Sequence, residues 1–246
     1  MPTELLPSHL PEDGNSSSLI LQGGIPEQDH QVDNFLVCHD WDNTLRWKPG
    51  ERLHHLFEQR VDQFLALNDA EHLAVDSSEG TWTYAALDQQ ANQVARYLIR
   101  QGLGAGDIVG LLFDKSVYSY VSMLAVLKIH AAYVPLDPAF PEERIAYIAA
   151  DAGFSSVLTL MQYQPLILGT GLSALCLDDP SKGMDQLATS RLSCGEVRPP
   201  VNELCYIIYT SGSTGQPKGV PIDQASICNF VRVAGEVYGY QSSDRV

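Results

Sequence analysis

From Glu51 onward, apolar residues recur with a helical period: Leu53, Leu56, Phe57, Val61, Phe64 and Leu65 share one face. His54 and His55 fall inside this segment at positions that read as solvated or at the edge of that face. A short strand over 73–76 and a turn over 77–80 lead to Trp82-Thr83-Tyr84. Thr83 is placed to cap a helix whose apolar face is Tyr84, Leu87, Ala91, Val94, Ala95 and Leu98. Gly102, Gly104 and Gly106 end that helix, and the continuous apolar run over 108–113 reads as a buried strand. A helix over 116–128, a strand over 132–136 and a turn at Asp137-Pro138 follow. Pro141 at a first helical position, with Glu142 and Glu143 in the first turn, opens a helix through Asp151. Residues 155–160 form a further strand. Residues 162–201 are less regular, with a turn at Asp178-Asp179-Pro180. Strands alternating with helices predict an α/β fold: a mostly parallel sheet with helices on both faces.

The stretch from Leu204 to Val220 departs from this rhythm. It begins as an apolar, aromatic and β-branched run, Leu204-Cys205-Tyr206-Ile207-Ile208-Tyr209, which reads as a buried strand. It then becomes a loop, Thr210-Ser211-Gly212-Ser213-Thr214-Gly215, closed by Pro217, Lys218 and Gly219. Glycine lets backbone N–H groups approach an anion closely. The four hydroxyls add donors, and Lys218 adds a mobile positive charge. This set suits polyphosphate. It is not a Walker A loop, because Pro217 precedes the lysine and Gly219 occupies the place of the Mg²⁺-binding Ser or Thr. A Ser/Gly linker has similar composition, but a linker is not normally joined to a buried strand on one side and an amphipathic helix on the other. That helix is expected after Asp223, which could cap it, with Ile227, Phe230, Val231, Ala234 and Val237 on its apolar face.

Tyr209-Thr210-Ser211-Gly212-Ser213-Thr214-Gly215, followed by Pro217-Lys218-Gly219-Val220, resembles the phosphate loop of the adenylate-forming enzymes. That family comprises acyl-CoA synthetases, luciferases and the adenylation domains of nonribosomal peptide synthetases. Trp82-Thr83-Tyr84 with Leu87, then Ala91-Asn92 and Ala95, resembles the first core motif of amino-acid adenylation domains. Leu127-Lys128-Ile129-His130-Ala131-Ala132-Tyr133-Val134-Pro135-Leu136-Asp137-Pro138 resembles the second, with Ile129 and His130 replacing the usual small residues. Pro141-Glu142-Glu143-Arg144-Ile145 with Tyr147 also fits. Gln224 stands where the family often has His, a difference that bears on substrate-side contacts, and Asn229 matches. The resemblance runs from about Glu51 to the end of the chain. It implies the N-terminal half of the large domain of an adenylate-forming enzyme, truncated, over 51–246, preceded by a disordered leader or linker over 1–50.

The resemblance further implies an enzyme that converts an amino acid and ATP to aminoacyl-AMP and pyrophosphate, then loads a phosphopantetheine thiol on a downstream or separate peptidyl carrier domain. Thr210, Ser211, Gly212, Ser213, Thr214, Gly215, Lys218 and Gly219 would bind the ATP phosphates. The Mg²⁺-holding Glu, the ribose-binding Thr-Gly-Asp motif, the substrate pocket and the catalytic Lys of the family are expected beyond Val246. No catalytic or metal-holding residue is therefore expected within the chain, and the chain alone is expected to be inactive. The alternatives are part of an acyl- or aryl-CoA ligase, or a catalytically silent binding piece. Val134-Pro135-Leu136-Asp137-Pro138 favours the peptide-synthetase branch.

Bulk properties narrow the partners. A net charge of −15 argues against nucleic acid and anionic membrane surfaces. The most apolar segment, 117–136, carries Lys128 and His130 and does not read as membrane-spanning. Cys38, Cys176, Cys194, Cys205 and Cys228 are scattered without a CxxC pair, a pattern of reduced thiols in the cytoplasm. The first 50 residues hold eight Asp/Glu against Arg46 and Lys48 and have no signal-peptide pattern. Cys38-His39-Asp40 within them reads as a loop segment, since three adjacent side chains rarely converge on one point.

Overall fold

The computed structural model describes residues 47–77, 80–211, 216–240 and 244. The expected leader and Cys38-His39-Asp40 therefore lie outside the described residues, apart from 47–50. The chain forms α1 (Leu53–Ala66), the hairpin β1 (Leu73–Ser77) and β2 (Gly80–Thr83), then α2 (Tyr84–Arg100). It continues through β3 (Ile108–Leu112), α3 (Val117–Lys128), β4 (Ala132–Leu136), α4 (Glu142–Ala152) and β5 (Ser156–Thr159). After a 3-10 segment at Gln164–Thr170 come β6 (Ser173–Cys176), β7 (Leu204–Ser211), β8 (Pro217–Asp223) and α5 (Gln224–Val237). Thr83 caps α2 as its position predicts, its hydroxyl accepting from Ala86 N–H at 3.1 Å. Pro141 is the N-cap residue of α4 rather than its first helical residue. The same helix ends where Gly153 takes a left-handed φ of 78° and returns its N–H to the Ala149 carbonyl.

The main sheet has the strand order β6-β5-β3-β4-β7-β8, with every neighbouring pair parallel except the terminal β7–β8 hairpin. Alternation along the strands feeds two separate cores. Val109 and Leu111 of β3, Leu158 of β5 and Leu175 of β6 join Val94, Leu98, Val121 and Ala125 of α2 and α3. Leu112, Val134, Leu136 and Val157 join Ile145, Ile148 and Ala149 of α4 on the other face. The expected architecture, a mostly parallel sheet with helices on both faces, is the observed one.

α1, α2 and α3 are joined through a buried cation. Lys128, at the end of α3, donates to Asp88 of α2 at 2.8 Å and pairs with Glu58 of α1. Arg191 extends the cluster, reaching Asp88 at 3.0 Å and Asp62 at 2.8 Å. Burying an ammonium costs several kcal/mol unless such partners converge on it.

The irregular segment before β7 is held by the polar side of α2. Asn92 donates to the Thr189 carbonyl at 2.8 Å, and Gln93 to Leu187 at 2.9 Å. Arg96 reaches the Ala188 and Ser190 carbonyls and the Glu196 carboxylate. Hydrogen bonds from Ser193 and then from Arg96 lower the Glu196 carboxyl to about 2. Side chains thus satisfy carbonyls that no helix or strand uses.

His54 departs from its expected solvated position: it is 4% exposed. Its ring lies 4.3 Å from that of His55 and 5.9 Å from that of His130. The burial comes from residues distant in sequence, which the period of α1 alone does not reveal. His130 itself sits at φ 59°, a left-handed position that costs a non-glycine residue about 1–2 kcal/mol. Its backbone N–H bonds the Leu127 carbonyl, Ala131 N–H bonds Val126, and its Nδ1 lies 2.8 Å from the Arg198 carbonyl.

Two outcomes are expected. Lys128→Met should lower the unfolding free energy by about 3 kcal/mol, because Asp88 and Glu58 lose their shared cation; an unchanged urea midpoint would remove the cluster as a stabilising element. Burial, then the nearby His55, Lys128, His130 and Arg52 charges, hold His54 well below its ordinary range. Burial also lowers His55 and His130. The unfolded chain then binds more protons than the folded one once pH falls below about 6.5. Stability is full above that value and declines below it, by at most about 1.4 kcal/mol per pH unit for each histidine. Urea midpoints at pH 7.5 and 5.5 should show this loss, and His54→Leu should make it smaller.

Candidate functional site

Because β7 runs parallel to β4, its C-terminal end emerges at the carboxyl edge of the parallel strands. Ligands of open α/β sheets bind at that edge. The candidate phosphate loop begins there. Thr210 and Ser211 are the last residues of β7, Gly212, Ser213, Thr214 and Gly215 lie outside the described residues, and the chain resumes at Gln216.

Pro217, Lys218 and Gly219 correct the expected loop. They begin β8, which pairs antiparallel with β7, placing Ser211 opposite Pro217, Thr210 opposite Lys218 and Tyr209 opposite Gly219. A run containing Pro, Lys and Gly carries little strand propensity; the pairing with β7 makes it a strand, and a terminal strand tolerates the proline. The hairpin also sorts the candidate residues by face. Directly opposed residues share a face, so Thr210 and Lys218 project together, above Ile208 and Val220. Ser211 projects from the other face, with Tyr209 and Gly219. Lys218 is exposed and makes no ion pair among the described residues, leaving its charge available to an anion.

The expected burial of β7 holds only at its start. Cys205 is fully buried, whereas Ile208 is 43% exposed. The apolar face read for α5 likewise faces outward in part, with Phe230 60% exposed, while Gln224 and Cys228 are the buried residues. Asp223 caps α5 as its position predicts, accepting from Ser226 N–H at 2.6 Å.

Gln224 has a role that its place in the motif does not disclose. Its Oε1 accepts from Leu53 N–H at 2.8 Å, satisfying a donor at the start of α1, and its own backbone N–H bonds the Glu203 carbonyl. Beside it, Arg52 reaches the Asn202 carbonyl at 3.3 Å. The motif associates this position with substrate-side contacts; here the side chain joins α5 to α1.

On the other hairpin face, the Tyr209 hydroxyl donates to Asp151 of α4 at 2.5 Å. Burial pushes the Cys205 thiol up to about 12 and Cys228 up to about 11, so neither supplies a nucleophile. All four described cysteines are free thiols. Among the described residues there is no cluster of three His, Cys, Asp or Glu side chains able to hold a metal ion, and no helix long and apolar enough to cross a membrane.

A mostly parallel sheet that ends in a cation- and hydroxyl-bearing hairpin at its carboxyl edge puts the chain in the open α/β class, whose ligands bind at that edge. Comparison with known proteins narrows the class. The model of the AMP-binding enzyme family matches residues 63–246, and the chain belongs to that family. It is 39% identical over 190 residues to one of the linear gramicidin synthase proteins of Brevibacillus parabrevis, covering 77% of this chain and 4% of that protein. It is 32% identical over 197 residues to tyrocidine synthase 1 of the same organism, covering 80% of this chain and 17% of that one. Among solved structures, the nonribosomal peptide synthetase FmoA3 with α-methyl-L-serine-AMP bound superposes with a TM-score of 0.65 at 27% identity, over 78% of this chain and 20% of that one. VinN with L-aspartate shares the fold, with a TM-score of 0.69 at 22% identity over 79% of this chain and 54% of VinN. The chain thus spans a small part of the peptide synthetases it matches and about half of VinN.

Replacing Gln224 by Leu is expected to leave the half-buried Leu53 N–H without its acceptor and to lower stability by about 1 kcal/mol. Thermal or urea unfolding of the purified chain measures this, and an unaltered midpoint would contradict the capping role.

Proposed function

We propose that residues 51–246 are the N-terminal part of an amino-acid adenylation domain of nonribosomal peptide synthetase type, with residues 1–50 a leader or linker. The observation that carries this reading is the hairpin at the carboxyl edge, which presents on one face Thr210 and Lys218, the latter without an ion pair among the described residues, and brackets Gly212-Ser213-Thr214-Gly215 in sequence. Similarity to the gramicidin and tyrocidine synthases supports the amino-acid branch over a CoA ligase.

The proposed substrates are ATP and an amino acid. A carboxylate oxygen attacks the α-phosphorus, a new P–O bond forms, and the bond to the pyrophosphate oxygen breaks. Negative charge grows on the departing β- and γ-phosphates. Lys218, the hydroxyls of Thr210, Ser211, Ser213 and Thr214, and backbone N–H groups at Gly212, Gly215 and Gly219 form the donor set for that charge. Mg²⁺ enters with ATP as counter-ion to the phosphates. The phosphopantetheine thiol of a peptidyl carrier domain in the cytoplasm then attacks the aminoacyl carbonyl: the C–S bond forms, the C–O bond to the phosphate breaks, and AMP leaves with loss of the thiol proton.

The test is amino-acid-dependent ATP–pyrophosphate exchange by the full-length protein that contains this chain. Lys218→Ala is expected to reduce exchange by about 10- to 100-fold. The fold should be unaffected, since Lys218 is exposed on a terminal strand. The 246-residue chain by itself is expected to show no exchange. Parental exchange in the variant would remove Lys218 from the site, and CoA-thioester formation without amino-acid-dependent exchange would favour the ligase branch.

A further inference from the structure

The distal half of the β7–β8 hairpin extends beyond the pairing that anchors it. The register between β4 and β7 is set at Tyr133 opposite Tyr206, whereas the candidate phosphate residues start at Thr210. β8 lies at the end of the sheet order, and beyond Tyr206 the hairpin rests on the second core along one face only, through Ile207 and Tyr209. A two-stranded hairpin is marginal by itself in water. Something from another element has to set the direction of its tip.

The residues that do so are on the face opposite Thr210 and Lys218. The Tyr209 ring crosses β8 at Gly219, its cross-strand partner, and its hydroxyl meets the Asp151 carboxylate at 2.5 Å on the last turn of α4. A Cβ at Gly219 would come within 3.0 Å of Tyr209 Cζ, 3.1 Å of its hydroxyl oxygen and 3.0 Å of Ile207 Cγ2. Gly219 is not among the glycines with a left-handed φ. A side chain there would push the tyrosine or Ile207 aside by a few tenths of an ångström, so glycine lets the ring lie closest across the strand. The bond is charge-assisted, and burial followed by Asp151 raises the phenol's pKa, keeping the donor protonated.

We propose that Tyr209 and Asp151 are positioning residues for the phosphate loop, tethering its hairpin to α4, and that Gly219 serves this tether by making room for the ring. The link to ATP rests on the adenylation reading above; the tether itself does not. Loss of the bond loosens the described ends of the hairpin, Thr210–Ser211 and Pro217–Lys218, from α4.

Two measurements test this. In the 246-residue chain, Tyr209→Phe and Asp151→Ala are each expected to speed amide hydrogen exchange over 207–211 and 218–220 by about tenfold. Exchange in β3, β4 and β5 should stay as in the parent. The double variant should exchange like either single one, because one bond is lost in all three. Gly219→Ala should behave likewise by displacing the ring. In the full-length protein, Tyr209→Phe is expected to raise the KM for ATP about tenfold while the KM for the amino acid and the melting temperature hold. Parental hairpin exchange in Tyr209→Phe, or additive effects in the double variant, would overturn the tether. Faster hairpin exchange with an unchanged KM for ATP would overturn the positioning role. A parent protein with no pyrophosphate exchange would overturn the adenylation reading instead, leaving the tether to be decided by hydrogen exchange alone.

Discussion

The ammonium of Lys128 constrains the placement of three helices. It lies at the end of α3, immediately before the turn into β4, where the surrounding sequence is apolar and the side chain has no route to solvent. An interior charge has to bring partners to itself. Glu58 and Asp88 supply them, and they come from α1 and α2, so charge neutrality fixes both helices against α3. Once α1 is placed, its first N–H groups need acceptors, and Gln224 at the start of α5 meets that of Leu53. A line of obligatory polar contacts therefore runs from the buried lysine, through α1, to the helix that follows the candidate phosphate hairpin.

That line explains a division within the site. Residues facing the sheet and α4, namely Tyr209, Gly219 and Ile207, are half-buried and shape the hairpin. Thr210 and Lys218, on the opposite face, are exposed and make no ion pair among the described residues. Strand alternation enforces the separation, since a side chain bound into the core cannot also face a ligand.

Much of this was legible in the sequence. The helices α1 and α2 and the central strands follow from apolar patterning, because their stability comes from the faces they bury, whereas α4 follows from its Pro141-Glu142-Glu143 start and α5 from its Asp223 cap. The phosphate reading of 210–219 rests on a different signal, glycine, hydroxyl and lysine at fixed spacing, and it stands as part of the proposal. What escaped were elements defined by partners remote in the chain. β8 carries Pro217, Lys218 and Gly219 and becomes a strand through β7. β6 is a short strand whose place is set by pairing with β5. His54 packs near His130, beyond the end of α3, and Gln224 acquires its role from a helix that begins at Leu53. None of these partners is encoded locally.

His130 shows how such a partner can sustain a departure from a motif. The turn after α3 demands a left-handed residue, for which glycine carries the least cost, and the family uses small residues there. Here the imidazole bonds the Arg198 carbonyl and lies near His54, contacts that a glycine cannot make. The backbone cost is offset by a link between the end of α3 and the segment leading into β7. The same logic separates the two motif positions. At position 130 the fold needs a conformation and accepts a histidine that is held in place by new contacts. At Gly219 it needs room beside Tyr209, and a larger residue fits only if the ring or Ile207 moves aside by a few tenths of an ångström. Tolerance at a motif position therefore depends on what has to give: a conformational cost can be offset by new contacts, whereas a volumetric one requires the neighbours to move.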